Sequence, residues 1–460
     1  MEHIFLDREE ELKFLEERFK KGKPELIVLY GRRRIGKTSL IKKFIEGKKA
    51  IYYLATKERE EKQAKDISQI LSAFFKDKTL EINPFTSYSQ IFSYLYEKSK
   101  EERLIFVIDE FGYLLEASPY ISSVLQKFWD EYFSNSRIFI ILCGSTIGMM
   151  ESLLSQRNPL YGRRTGQWKL EALDFKTLRE FLKEKSFEDV LKCWFITNGI
   201  LFYAKEFKEF ENFEEFLLNT FFDKGHIFYE EGKILISEEL GEVPTYFSIL
   251  SFLSKGASRQ IEIANNIAMK QTSLTRYLET LLRLKFIKKE PLITKEKSKK
   301  VYYSMNDNFL HFWFRFVYPN RQFVERNEKE KIKEILERDL NAFFGEKFEE
   351  FVRSNIRKFF ENVEKVGKWR GFGENRKIEE IDVVGINEKD KTIVFGECKW
   401  SENVDAEKVL KELKEKSKLV DWNRNQRKEI FAIFVKSFEK KVREENLYLF
   451  DLKDIEKLLQ

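Results

Sequence analysis

Four short apolar runs mark the first third of the chain: Leu26–Tyr30, Ile51–Leu54, Leu104–Ile108 and Ile138–Cys143. None alternates with polar residues, which predicts strands buried on both faces. Helical spacing falls between them, over Ser39–Ile45, Glu60 to about Phe75 and Tyr88–Lys98. Parallel strands separated by helices predict an α/β sheet to about Leu170. An amphipathic, acid-led helix precedes the sheet, capped at Asp7 and running through Leu15 and Phe19. From Asp174 to about Leu240 the pattern is helical and rich in Phe, as in a lid bundle. Pro244 opens a new unit with helices over Tyr246–Leu253, Arg259–Ile267 and Thr272–Leu284. Strands at Phe286–Ile287 and Val301–Tyr303 follow. After a Lys/Glu-rich helix from Asn327 to about Leu340, a last unit begins with a second helix, about Phe344 to Phe360. A hairpin follows, Glu379–Ile386 and Thr392–Trp400 around the turn Asn387–Asp390. A helix over Ala406–Leu419 and strands at Ile430–Val435 and Leu447–Phe450 complete it. The predicted fold is α/β and multidomain, divided at 1–170, 171–240, 241–320 and 321–460.

Composition narrows this only a little. The 460 residues leave room for about three domains, and 42% hydrophobic residues with 45 Phe suffice for real cores. A net charge of +6 is too mild to argue for nucleic acid, so local basic clusters must carry that case. Cys143, Cys193 and Cys398 are scattered without a C-x-x-C pair, which argues against structural zinc and disulfides. No apolar run reaches membrane-spanning length and no signal peptide is visible, so the chain reads as soluble, cytoplasmic and without a membrane partner.

Between the first strand and the following helix stands Gly31-Arg32-Arg33-Arg34-Ile35-Gly36-Lys37-Thr38, then Ser39. This is G-x-x-x-x-G-K-[ST] in the order strand, loop, helix that phosphate binding requires. The loop N–H groups would wrap the phosphates of ATP, Lys37 would reach the β- and γ-phosphates, and Thr38 would ligate Mg²⁺. The third run ends in Asp109-Glu110: Asp109 suits contact with Mg²⁺, and Glu110 suits a base that orients and polarises the attacking water. The fourth ends in Ser145, which either reaches the γ-phosphate or the water, or caps the next helix. Arg163 or Arg164, on a loop, could contact a γ-phosphate within the subunit or across an interface, or could equally bind other phosphates or simply solvate the loop. That leaves a nucleotide-dependent homo-oligomer open.

Two further stretches carry chemistry. Three helices and a hairpin with a basic loop describe a winged helix-turn-helix. Lys285, Lys288, Lys289, Lys295, Lys297, Lys299 and Lys300 crowd its wing, and Gln271, Thr272, Ser273, Thr275 and Arg276 open its third helix. That points to nucleic acid, DNA favoured, although such modules also serve as protein contacts. On the C-terminal hairpin, Glu397 and Lys399 share a face, and Asp382 can reach it from the other strand. Two carboxylates and a lysine suit metal-dependent phosphodiester cleavage. Asp382 and Glu397 would hold Mg²⁺, Lys399 would position hydroxide and offset charge, and Glu349 would add an outer acid. The other reading is a solvated hairpin face.

With these residues in place, the chain resembles the archaeal ATPase family of the STAND/AAA+ type. That family carries a C-terminal domain of unknown function similar to PD-(D/E)xK nucleases. The carriers are Phe5–Leu12, the phosphate loop, Ile108-Asp109-Glu110, Leu142–Ser145, Pro159–Arg163, Asp307–Phe316, Gly345–Glu349 and the Asp382/Glu397/Lys399 set. The resemblance implies an ASCE-type ATPase core, helical lid, winged helix and nuclease-like module, with Ser145 the sensor residue and Arg163 the family's arginine. Asn198-Gly199-Ile200-Leu201 departs from the family's usual Gly-Gly-x-Pro turn. Two functions stand: an ATP-dependent nucleic-acid-cutting protein, or an ATP/ADP switch whose C-terminal domain binds without cutting. A metabolic kinase ranks behind both, since no acceptor-substrate site is visible.

Overall fold

In the computed structural model, which describes residues 6–240, 243–290, 293, 301–373 and 377–459, the chain divides into two compact units. One contains the chain through Leu173 together with Ile200–Phe202; the other contains Asp174–Gly199 and the chain from Tyr203 onward.

The first unit is built on β1 (Glu25–Gly31), β2 (Ala50–Leu54), β3 (Leu104–Asp109), β4 (Ile138–Gly144) and β5 (Gly166–Leu170), all parallel in the order β2-β3-β4-β1-β5. Residues of β1, β3 and β4 are buried throughout, which explains their unbroken apolar runs. One face packs Leu26, Val28, Phe106, Ile108, Ile140 and Leu142 against Ile67, Leu71, Ile91, Phe92 and Leu125 from the crossover helices. Strand order matters for function. Because β4 lies between β1 and β3, the carboxyl-end tips of these three strands stand side by side, where ligands bind in open α/β sheets.

Two expectations change at the N-terminal side. The first helix is Glu9–Lys20, not capped at Asp7: Asp7 takes a left-handed φ of 50°, and Arg8 is the N-cap. Phe5 lies outside the described residues. Asp109 closes β3, while Glu110 leaves the strand at φ 53° instead of continuing it.

The second unit begins with helices Phe175–Phe181, Phe187–Thr197, Phe213–Thr220 and Ile227–Glu239, cored by rings including Phe207, Phe216, Phe221, Phe228 and Phe309. At the turn after Thr197, Asn198 and Gly199 both take positive φ (49° and 73°). Three helices follow, Val243–Leu253, Gln260–Asn266 and Gln271–Arg283. The first includes Pro244 in its opening turn, where a missing N–H costs nothing. They pack with a small sheet of β6 (Ser258–Arg259), β7 (Ile287–Glu290) and β8 (Tyr302–Met305), ordered β6-β8-β7. Residues 291, 292 and 294–300 of the expected basic loop lie outside the described residues.

The two helices expected around 327–360 are one, Lys329–Phe359. Asn341 and Gly345 each cost a helix only about 1 kcal/mol or less, and the packed face around them outweighs it. Buried Phe343, Phe344, Phe348, Phe351 and Val352 supply that face. Next come β9 (Lys365–Phe372), β10 (Ile378–Asn387), β11 (Thr392–Lys399) and the helix Ala406–Ser417. The strands β12 (Val404–Asp405), β13 (Lys428–Val435), β14 (Phe438–Lys440) and β15 (Leu447–Phe450) complete the unit. The main sheet runs β15-β13-β11-β10-β9, with β9, β10 and β11 antiparallel and β11, β13 and β15 parallel. β9 was not expected from the sequence. The strand β7 meets the long helix through Lys288, whose Nζ lies 2.7 Å from Glu350.

Candidate functional site

At the tip of β1 the chain turns through the phosphate loop. A Cβ on Gly31 would come within 2.5 Å of the Leu170 carbonyl oxygen and 2.4 Å of Ile35 Cδ1, so nothing larger fits there. Gly36 holds φ 94°, the left-handed turn that starts the helix Lys37–Ile45. Lys37 is buried, and its Nζ donates to the carbonyls of Gly31 (3.0 Å) and Arg32 (2.8 Å). Burial pushes its ammonium below the ordinary value, opposed by Cys143, Glu110 and Asp109. Arg34 takes φ 68°, with its guanidinium 4.3 Å from the Phe202 ring centre. Arg33 donates to the Tyr113 hydroxyl at 3.4 Å. Arg32, Ile35 and Ser39 complete the loop and first turn.

The acids stand beside it. Thr38 Oγ1 donates to Asp109 Oδ2 at 2.8 Å, and the Glu110 backbone N–H donates to Asp109 Oδ1 at 3.0 Å. Ser145, at the tip of β4, donates its hydroxyl to Glu110 Oε2 at 2.7 Å. Of its two expected roles, capping falls away, since Thr146 is the N-cap of the next helix. The left-handed backbone at Glu110 is a sparsely populated conformation for a non-glycine residue, of the kind found at functional sites. Thr38 and Asp109 offer hard oxygen donors one hydrogen bond apart, which suits Mg²⁺.

The structure does not place Arg163 with this group: its guanidinium forks onto Asp130 at 3.2 and 3.1 Å. Arg164 reaches the Leu154 carbonyl at 3.3 Å. A residue that sequence reasoning missed is Arg8. It is buried and donates to the carbonyls of Ile35 (3.1 Å) and Glu171 (2.9 Å) while pairing with Glu11. Arg8 thereby ties the segment upstream of β1 to the phosphate loop.

The second unit gathers its own charged group. Pairing of β10 with β11 ends at Val383 opposite Gly396, leaving Asp382 and Glu397 as the next residue on each strand. On its other side β10 shifts register against β9 between Ile381 and Val384, a bulge of the kind that re-aims side chains beside active sites. Asp382 Oδ2 accepts from the Cys398 N–H at 3.0 Å, and Arg353 donates to the Asp382 carbonyl at 2.7 Å. Burial first, then the charges of Glu349 and Glu397, push the Asp382 carboxyl up to about 7. Each of these acids also meets a cation. Lys399 Nζ lies 2.8 Å from Glu397, and Lys416 lies 3.0 and 3.1 Å from its two oxygens. Lys368 reaches Glu349 (3.1 Å), Glu380 (2.8 Å) and Asp382 (3.9 Å). No group of three His, Cys, Asp or Glu close enough to hold a metal ion forms among the described residues. The donor chemistry fits a hard cation only in exchange for lysine contacts. Lys368 and Lys416 were missed: one sits on the unexpected β9, the other in a helix full of lysines.

A phosphate loop on β1, an acid pair ending β3 and a hydroxyl on the strand between them make the first unit a P-loop ATPase fold. The chain belongs to the archaeal ATPase family. Residues 5–206 match the family described as an ATPase domain predominantly from Archaea, and residues 313–410 match one described as archaeal and bacterial proteins of unknown function. An uncharacterized protein of Methanocaldococcus jannaschii is 34% identical over 98% of this chain and all of its own length. An uncharacterized ATP-binding protein of the same organism is 61% identical over 10% of this chain and 78% of its own. Among solved structures, a Walker-type ATPase of Pyrococcus abyssi superposes with a TM-score of 0.50 at 24% identity. It covers 68% of this chain and 96% of its own, a likeness of fold. No helix among the described residues is long and apolar enough to cross a membrane.

Proposed function

We propose that the protein couples ATP binding and hydrolysis to nucleic-acid binding, with DNA favoured, and to Mg²⁺-dependent phosphodiester cleavage by its C-terminal domain. Within this reading the loop from Gly31 to Ser39 cradles the phosphates, and Thr38 and Asp109 hold the ion that offsets their charge. Glu110, fixed by Ser145, orients the attacking water. Arg163, half-buried on Asp130, is the side chain offered to a nucleotide of its own or a neighbouring copy. Gln271, Thr272, Ser273, Thr275 and Arg276 are exposed at the start of the third helix of a winged-helix arrangement, where base edges are read.

The observation that supports the cleavage reading is the placing of Asp382 and Glu397 as the next residues past the end of the β10–β11 pairing, beside a register shift and with Lys399 on Glu397. A divalent ion on Asp382 and Glu397 would polarise the scissile phosphate and acidify a bound water. Lys399 would steady the nucleophile and offset charge developing on the phosphate. The long helix supplies Glu349 to this site and Glu350 to Lys288 of β7 on adjacent residues, so a nucleic acid held by the winged-helix segment would bear on the helix that carries an acid.

The test is an assay of single- and double-stranded DNA and RNA with Mg²⁺ or Mn²⁺, with and without ATP, beside Asp382→Ala. Expected is metal-dependent cleavage that the variant loses while ATP hydrolysis continues. Cleavage persisting in rigorously purified Asp382→Ala would remove the assignment. A second reading, a nucleotide-controlled switch that binds without cutting, is favoured by the lysines paired with these acids. Absence of cleavage under every nucleotide, with hydrolysis intact, would select it.

A further inference from the structure

Arg163, one of the arginines expected at the γ-phosphate, forks onto Asp130, and a different guanidinium stands at the phosphate loop itself. Arg33, the third residue of that loop, donates from Nη2 to the Tyr113 hydroxyl at 3.4 Å. Tyr113 belongs to the helix Phe111–Ala117 directly after Glu110, and its N–H donates to the Glu110 carbonyl at 3.0 Å. The tyrosine therefore holds the guanidinium on the side of the site where Glu110 stands, and Glu110 marks the place of the γ-phosphate and its attacking water. At the tip of β2 the Ala55 N–H donates to the Asp109 carbonyl at 3.0 Å. Two residues on, the Lys57 ammonium lies 5.2 Å from the Tyr113 ring centre. Arg33 is also near enough to Lys37 to oppose the charge of its ammonium.

Lys37 and Arg33 on the loop, with Lys57 across Tyr113, gather positive charge at the tips of β1, β2 and β3. Like charges placed this way repel, and an anion among them relieves the repulsion. Asp109 and Glu110 offset part of this charge, and a divalent ion on Asp109 would tip the balance back toward an anion. ATP exceeds ADP by the γ-phosphate and its negative charge, so the relief is larger for ATP. Contact with Tyr113 does not compete with contact to a phosphate, because it uses one N–H of a guanidinium that carries five. We propose that Arg33 supplies, from within its own chain, the guanidinium that recognises the γ-phosphate, and that Tyr113 is the positioning residue that aims it. ATP is thereby told from ADP at the loop itself. The proposal rests on reading Gly31 to Ser39 as the phosphate site of the nucleotide.

Dissociation constants for ADP and for the non-hydrolysable analogue adenylyl imidodiphosphate, both with Mg²⁺, read the γ-phosphate as a ratio. Arg33→Gln is expected to weaken the analogue about tenfold or more and ADP by about threefold at most. Its kcat for ATP hydrolysis should fall as well. Arg33→Lys keeps the charge and loses the planar fork, and should recover part of the ratio. Tyr113→Phe removes one oxygen and keeps the ring that Lys57 faces. It should lower the ratio about threefold in the parent and not at all in Arg33→Gln, because it acts through that guanidinium. Lys43→Gln is the control: it removes an exposed cation of the helix Lys37–Ile45, paired with Glu46 at 2.9 Å, and should leave the ratio unchanged. A ratio in Arg33→Gln within about twofold of the parent would overturn the proposal. An equal effect of Tyr113→Phe with and without Arg33 would overturn the part given to the tyrosine. Failure of the parent to bind either nucleotide would instead overturn the phosphate-site reading, and the proposal with it.

Discussion

The phosphate-loop site and the C-terminal acid site each gather lysine with carboxylates, yet they settle the charges in opposite ways. At the phosphate loop the partners are uncharged. Lys37 rests on two backbone carbonyls, Asp109 on the hydroxyls of Thr38 and Tyr52 and an N–H, and Glu110 on a serine hydroxyl. At the C-terminal site Glu397 is met by Lys399 and Lys416, and Glu349 by Lys368 and Arg353. The first arrangement satisfies each charged group with uncharged hydrogen-bond partners and leaves it ready for an ionic ligand. The second pairs Glu397 and Glu349 with cations, so a metal ion there must displace lysines. A preorganised site and a self-paired one will answer the same kind of mutation differently.

The largest difference is expected from Lys37→Ala. Removing the buried ammonium takes away its contact with the phosphates, and ATP affinity should fall at least about a hundredfold in a fluorescent-nucleotide titration. Without nucleotide the same change should leave the melting temperature unchanged or raised, because burial already disfavours this ammonium in the folded protein. A clear fall in ligand-free stability would mean that Lys37 is a structural cation after all, and the contrast between the sites would dissolve.

A smaller effect is expected from Ser145→Ala. The serine holds Glu110 through one charge-assisted hydrogen bond, so kcat for ATP hydrolysis should drop about tenfold or more, with nucleotide affinity nearly unchanged. Glu110→Gln should drop it further. Equal loss of binding and turnover in Ser145→Ala would place the serine on the nucleotide itself.

What the sequence conveyed and what it withheld divide along the same line. The phosphate loop, the acids after β3 and the serine after β4 are each local: a few adjacent residues at the end of an apolar run. Such patterns are readable because the strand, the turn and the functional group share one stretch of chain. Tyr52, Arg8, Lys368 and Lys416 act across the fold, from residues whose immediate neighbours say nothing of Asp109, Ile35, Glu349 or Glu397. β9 escaped notice for a different reason. Lys365-Val366-Gly367-Lys368-Trp369-Arg370-Gly371-Phe372 carries three cations and two glycines, and as an edge strand it needs no continuous apolar face. The long helix was expected as two, a Lys/Glu-rich one and one from about Phe344, because its composition changes there, whereas the buried aromatic face from Phe343 to Phe351 holds it together as one.

The smallest effect is the most diagnostic of the self-paired site, and it lies in pH. The Asp382 carboxyl stands at about 7 in the folded protein, raised first by burial and then by Glu349 and Glu397. The ordinary value is 3.8, so the folded state holds this proton more tightly than the unfolded state does. Below that ordinary value both states are protonated and the group is neutral in its effect. As pH climbs from there through 7, ionisation in the folded state becomes a growing penalty, complete above 7. Asp382→Asn removes the ionisation while keeping an oxygen to accept from the Cys398 N–H. Its melting temperature in EDTA should therefore match or trail the parent at low pH. It should exceed the parent by about 2 °C or more at pH 8, discounted because Lys368 loses a distant partner. Mg²⁺ at pH 8 should close the gap by raising the parent and not the variant. A difference that stays constant across pH would mean that the lysines already cancel the three acids, and the C-terminal group would then lack the surplus charge that calls for a metal.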